Sequence, residues 1–355
     1  MSTWWRLVDA LGRTRDAAER WLTGERHAVH ALAAARVLLG VSVLGLLATN
    51  FSDRQVWVGD ASAWAEPARE VSQFPEIALL DGVSGDVLTV VYVLVALAAA
   101  GLVLGWHAKA MNVVVLLGFI AVTAQNPVLG STGDNLVRLA LLWMVLMRTA
   151  EVWSLDAGRL RRRREEDPDA DEEPVPDWLV TGLHNVGLVG LGTQTALAYL
   201  AGGLDKASQD GWQRGTALFS TLQLPEYRPF PWLSDLLSNG TVLLALVTWT
   251  VLVVQLFFVP MLLRDGTRDL VVVLAIVVNV LFGVVLATPW SSLAVIAVTG
   301  LFLSDHRWAA VGDRVADVGL AVGDRTIDAR YAVADRVEDA WFGVVDWVRV
   351  TLLRR

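Results

Sequence analysis

The sequence predicts an all-α, polytopic membrane helix bundle of about eight transmembrane helices, with amphipathic helices at both termini. Three observations carry that reading. Hydrophobic residues are 54% of the 355 and charged residues 19%, below the roughly 25% charge usual in soluble domains, and the mean hydropathy is +0.48. The apolar residues fall in blocks near the ~20 residues needed to cross a hydrocarbon core at about 1.5 Å rise each. Lysine and arginine gather in alternate loops, as the topology of a multi-pass protein requires.

The N-terminal segment 1–30 is charged and amphipathic, with Trp4, Trp5, Leu7, Val8, Leu11 and Trp21 set among Arg and Asp. It reads as an interfacial helix and not as a cleavable signal, since no short apolar run follows the start. The spans then run Leu32–Thr49, Val87–Trp106, Met111–Gln125, Leu136–Val152, Leu179–Gly202, Val242–Leu263, Leu270–Ala287 and Ser291–Leu303. They form one transmembrane domain over residues 31–304. Arg20 and Arg26 precede the first span, Lys109 follows the second, Arg159 and Arg161–Arg164 follow the fourth, and Arg264 and Arg268 follow the sixth. This places the protein in the cell membrane with both termini cytoplasmic.

Residues 157–177 include the run EEDPDADEEPVP and read as a solvated cytoplasmic linker. The tail 305–355 repeats Val311-Gly-Asp-Arg314, Val322-Gly-Asp-Arg325 and Val333-Ala-Asp-Arg336 at a spacing of 11 residues. Eleven residues make three turns of about 3.67 each, so each valine returns to one helical face. Trp341, Phe342, Trp347 and Val350 continue that face, and a membrane surface suits it.

Several chemistries are excluded. Cysteine is absent, which removes disulfides, thiolate ligands and a thiol nucleophile. The net charge of -8 argues against a nucleic-acid partner. No phosphate-binding loop, HExxH or GxSxG motif occurs. His27 and His30 are too poor a ligand set for a metal, so none is expected. The partner that composition does establish is the lipid bilayer.

Polar residues at membrane depth need reasons. Arg36, one turn into the first span, is expected to snorkel to the inner headgroups. Asp134 or Asn135 is expected to cap the fourth span. Arg138 either pairs with Asp134 or turns inward to meet an anionic or quinone-like group. Gln194, Gln255 and Asn279 read as helix glue, and the glycines of the fifth span as packing positions. His184 and Asn185 lie in the half of that span away from Lys206.

The densest polar cluster is Gly202–Ala217, outside the fifth span, followed by the short apolar segment Leu218–Leu224, which reads as an interfacial or re-entrant helix. Lys206 there sits at a partly dehydrated site, where burial lowers an amine's pKa and makes it a usable base. The plainer reading pairs Lys206 with Asp205 or Asp210 at the outer interface.

Ala201-Gly202 with Lys206, then Trp212 and Gly215-Thr216-Ala217, resemble the AG…K…W…G signature of the HTTM domain, the membrane domain of vitamin K-dependent gamma-carboxylase and many prokaryotic proteins. Gly133-Asp134-Asn135-Leu136 and Trp153-Ser154-Leu155-Asp156 support the match, which runs from about Ala35 to Leu303. The resemblance implies a catalytic base at Lys206, acting on reduced menaquinone or a vitamin K-like quinone. It also implies an outward-facing pocket with Trp212, Arg138, Asp134, Asn279, Gly215 and Thr216 as substrate-binding residues. Asn279 stands where many family members carry a histidine, and the amphipathic tail stands where the carboxylase has a β-rich lumenal domain. A non-enzymatic binding, immunity or sensor module on the same fold is the alternative. A transporter would need a polar path across the bundle, which the sequence lacks.

Overall fold

The computed structural model describes residues 3–58, 66–70, 72, 75–80, 82–167 and 175–317, with the side chains of 3–11, 69 and 129 excepted. The chain divides into two units, 1–305 and 306–355. In the second, residues 306–317 are helical; the repeats at Val322 and Val333 and the aromatic residues of the tail lie outside the described residues.

Among its described residues, the regular elements of the first unit are all helices. It comprises α1 (Thr3–Thr23), α2 (Val29–Thr49), α3 (Arg54–Val58), α4 (Glu66–Glu70), α5 (Gly85–Leu104), α6 (Ala108–Thr123), α7 (Thr132–Met144) and α8 (Leu155–Glu166). Then follow α9 (Asp177–Ala207), α10 (Asp210–Gln213), α11 (Ala217–Gln223), α12 (Pro231–Asn239), α13 (Thr241–Leu262), α14 (Asp265–Val285) and α15 (Pro289–Thr299). Among the described residues, α2, α5, α13 and α14 are long and apolar enough to cross a membrane, while α6 and α15 are shorter apolar helices. A multi-pass membrane helix bundle is the result.

Packing follows residue size. The N-terminal half of α2 buries Ala31, Ala33, Ala34 and Ala35, small enough for neighbours to come close. It lies against α5 and α15, and Gly40 faces the Ala99 carbonyl so closely that a Cβ there would sit 3.2 Å from it. Short α15 is central, in contact with α14, α2, α7 and α9, while α9 packs along α13. Outward faces stay apolar: Val242 and Leu97 are 74% and 63% exposed, the pattern of a surface solvated by lipid.

One end of the bundle is tied by polar groups that the sequence reading assigned otherwise. Arg36 does not snorkel. It is fully buried (0% exposed), and its guanidinium donates to the carbonyls of Thr149 (3.0 Å), Val103 (3.0 Å), Trp153 (2.7 Å) and Leu102. These carbonyls are available because α5 has ended at Leu104, with Gly105 left-handed at φ 65°, and because α7 stops at Met144. The expected span to Val152 is therefore shortened. Residues 145–154 run as irregular backbone, with Trp153 at φ 50°. Non-helical backbone inside a membrane protein needs partners within the protein, and Arg36 supplies them. His184 accepts from the Arg148 N–H (3.1 Å) through Nδ1, so Nε2 carries the proton and donates to the His27 carbonyl (2.8 Å). Asn185 donates to the carbonyls of Trp21, Leu22 and Glu25 and accepts from the His27 N–H, docking the end of α1.

His30 belongs to this end too. Its Nδ1 lies 2.7 Å from the Asp305 carboxylate, which also accepts the His30 and Ala31 N–H groups at the start of α2. Among the described residues no metal-binding cluster forms. The segment read as a linker begins as α8, which is capped by Ser154 and has no buried residue; residues 168–174 lie outside the described ones.

Candidate functional site

Lys206 sits in the last turn of α9, at the end away from Arg36. At 31 residues, α9 is about 46 Å long and outruns a core of about 30 Å. Lys206 falls four residues beyond the apolar stretch that closes at Gly202. Two adjacent glycines shape the surroundings. A Cβ on Gly203 would meet the Leu256 nitrogen at 2.7 Å, so α9 and α13 touch backbone to backbone here. The position a Gly202 Cβ would take is 3.4 Å from Gln255 Oε1 and 3.8 Å from Lys206 Nζ, which brings the amide and the amine to one bare patch of helix.

The loop after α9 returns to α13. Gly215 has φ +73°, and a side chain there would strike Ala245, whose Cβ is 2.8 Å from the ideal Cβ position. Both conformation and space call for glycine. Thr216 closes the turn by donating its N–H to the Gly211 carbonyl (2.8 Å), and Trp249 Nε1 donates to the Gln213 carbonyl (3.1 Å). Fixed in this way, Trp212 puts its ring 5.3 Å from Lys206 Nζ, a cation–π distance. Trp212 also packs against the apolar cluster of Leu218, Leu222, Leu237, Leu244 and Val285.

Neither nearby aspartate forms the ion pair that spacing alone suggested. Asp205 accepts from Gln209 Nε2 (3.0 Å), and Asp210 pairs with Arg214 (3.0 Å). Burial pushes the Lys206 amine below the usual lysine range, and the charge of Asp205 offsets part of that. Gln255 Oε1 is buried without a hydrogen-bond partner, an arrangement that costs about 1–3 kcal/mol unless something donates to it. Gln255, read as helix glue from its place in an apolar run, is the site residue that sequence reasoning missed. Only its distance from Gly202 and Lys206 across two helices marks it.

The structure brings together Lys206, Trp212, Gly215 and Thr216. Asp134 and Arg138 sit elsewhere, at the start of α7. Ser131 is the cap of that helix, accepting from the Asp134 N–H (3.1 Å), while the Asp134 carboxylate accepts from the Ser131 N–H (2.7 Å) in a closed capping box. Asp134 thus supports the cap instead of being it. It lines a small gap with Ser42, Phe119, Trp290 and Ser291. Arg138 Nε is buried without a partner. Asn279 lies deeper, donating to the Ala275 carbonyl (2.8 Å) and standing beside Tyr199, whose hydroxyl bonds to Thr299 (2.9 Å). Among the described residues no hydrogen bond or ion pair joins Asp134, Arg138 or Asn279 to Lys206.

The fold and this site define the class: a multi-pass, all-α membrane protein with a half-buried lysine at the end of α9, the longest of the described helices. The family model for the HTTM domain matches residues 25–308. The chain belongs to the HTTM domain family. No curated protein matches it, and no solved structure does.

Proposed function

We propose that this HTTM-family protein is a membrane enzyme that takes up a lipid-soluble reduced quinone at Lys206, with Nζ as the general base. The observation that carries the reading is an amine with no carboxylate bound to it, partly buried, and set beside an aromatic ring and a buried carbonyl oxygen that lacks a donor. A quinol fits those groups. Its ring matches the Trp212 face, and its hydroxyl meets either the orphaned Gln255 Oε1 or the lysine. Uncharged Lys206 removes the hydroxyl proton, and the phenolate left behind is stabilised by the ammonium just formed. The quinol is a two-electron reductant, and its consumption requires a dissolved oxidant such as molecular oxygen to take those electrons. Lower amine pKa matters because only the neutral form accepts a proton, and burial enlarges that fraction.

The site faces outward. Arg20, Arg26, Lys109, Arg159, Arg161–Arg164, Arg264 and Arg268 fall in the chain segments that alternate with the loop carrying Lys206, and positive charge is retained on the cytoplasmic side. Because the chain has no cysteine, single cysteines report the orientation directly. Ser208→Cys is expected to react with a membrane-impermeant maleimide on intact cells, and Arg162→Cys only after permeabilisation. The reverse pattern overturns the outward site.

A binding module without turnover is the second reading, favoured by the resemblance read from the sequence, which sets Asn279 where many family members carry a histidine; an amide cannot shuttle a proton. Extraction of the purified protein and mass spectrometry separates the two. A co-purifying quinone, with reduced quinone consumed by the wild type and not by Lys206→Met, supports the enzyme. No bound quinone and no consumption leaves the binding module.

A further inference from the structure

We infer that α8 is a docking surface for anionic phospholipid headgroups, held by its first turn at the membrane surface and carrying its arginines over the leaflet beside it. The first turn is fixed to the bundle. The Asp156 carboxylate accepts the His107 and Ala108 N–H groups (3.0 and 2.8 Å), and its own N–H donates to the Gly105 carbonyl (3.1 Å). Asp156 thereby caps α6, whose own N-cap residue, His107, makes no side-chain cap bond. This sets α8 at the short turn between two apolar helices, α5 and α6. Two tryptophans flank the attachment, Trp106 43% and Trp153 39% exposed, and indoles placed in this way favour the membrane–water boundary.

Beyond that turn α8 buries nothing, and Arg159 and Arg161–Arg164 crowd into its second half. Arg159 pairs with Asp156 (3.2 Å). Arg161, Arg162 and Arg163 make no hydrogen bond or ion pair among the described residues. They stand about 9–12 Å along the helix from Leu155 at about 1.5 Å rise per residue. Even an upright helix therefore keeps them within roughly one Debye length, about 10 Å, of the headgroups, and a helix that lies down brings them into contact. Charge and place together choose the occupant. A basic residue near an anionic leaflet is drawn to it about fivefold, and clusters of this size just outside a span are the pattern such leaflets retain. The rival occupant is the chain's own acidic run, which follows directly in residues 165–173. Its Glu165 and Glu166 form no ion pair with the three arginines.

The test uses the full chain in lipid nanodiscs. Because the chain has no cysteine, Glu166→Cys at the exposed far end of α8 carries a single fluorophore, and quenching by nitroxide-labelled headgroups reports how close that end lies to the bilayer. Replacing about one-third of the phosphatidylcholine by phosphatidylglycerol is expected to raise the quenching about twofold. The rise should vanish at about 1 M salt, where the Debye length falls to about 3 Å. It should vanish also when Arg161→Gln, Arg162→Gln and Arg163→Gln are combined. Equal quenching in the two lipids overturns the proposal, and a rise that then appears on Asp169→Asn with Asp171→Asn gives the arginines to the acidic run instead. A lipid-dependent rise that survives high salt, or survives in the folded triple variant, overturns it as well. The salt comparison changes no residue, so it decides the case if the triple variant fails to fold.

Discussion

Lys206→Met is expected to lower turnover of reduced quinone by a factor of about 10²–10⁴, the range a positioned general base supplies, while the protein stays folded. Stability survives because Lys206 makes no hydrogen bond or ion pair among the described residues, and its contact with Trp212 at 5.3 Å contributes only about 0.5–1 kcal/mol at a partly exposed position. The thermal midpoint should accordingly shift by a few degrees at most. Lys206→Arg sharpens the result, since a guanidinium keeps the charge and stacks on tryptophan but does not deprotonate. It should be as inactive as the methionine variant. The pH profile gives an independent readout. Burial lowers the lysine pKa, so the wild-type rate should climb with pH and level off below the ordinary lysine range, as the neutral amine fills. Both variants should lose that climb. Retention of the wild-type rate in Lys206→Met removes the base from Lys206.

The apolar stretches were legible because a lipid-solvated helix is continuous in hydrophobicity and needs no tertiary information to be seen. Lys206, Trp212, Gly215 and Thr216 were legible for a related reason: one short loop carries them, and local chain geometry brings them to a single place. What escaped depended on partners far away in sequence. Nothing in the run Leu136–Val152 announces a helix that stops at Met144, since no proline or glycine interrupts it. It stops where the freed carbonyls of Thr149 and Trp153 find Arg36, 113 and 117 residues earlier. Gln255 looked like any neutral polar residue in an apolar helix until α9 was laid against it at Gly202 and Gly203. The aspartates near Lys206 were misjudged as ion-pair partners because spacing counts neighbours but not competitors; Gln209 and Arg214 take them instead. His30 likewise looked like a weak ligand because Asp305, 275 residues on, was invisible beside it.

The larger stability effect belongs to Arg36. Arg36→Met keeps most of the side chain's apolar length and removes the donor fork, leaving the carbonyls of Leu102, Val103, Thr149 and Trp153 without it. Water cannot replace the fork, because the position is 0% exposed. A buried acceptor stripped of its donor costs about 1–3 kcal/mol. Some carbonyls will relax toward new partners, so the expected total is about 3–5 kcal/mol, among the largest effects a single substitution produces. Arg36→Lys should recover little, since one ammonium does not present a planar set of donors to carbonyls on two chain segments. The loss should concentrate at residues 145–154, whose irregular backbone has no helical ladder to fall back on. Hydrogen exchange or limited proteolysis there should rise before the rest of the bundle responds. Lys206→Met, at the opposite end of the bundle, is the matched control. If Arg36→Met melts within a few degrees of it and keeps 145–154 protected, the guanidinium is not what holds that segment, and the early end of α7 needs another cause.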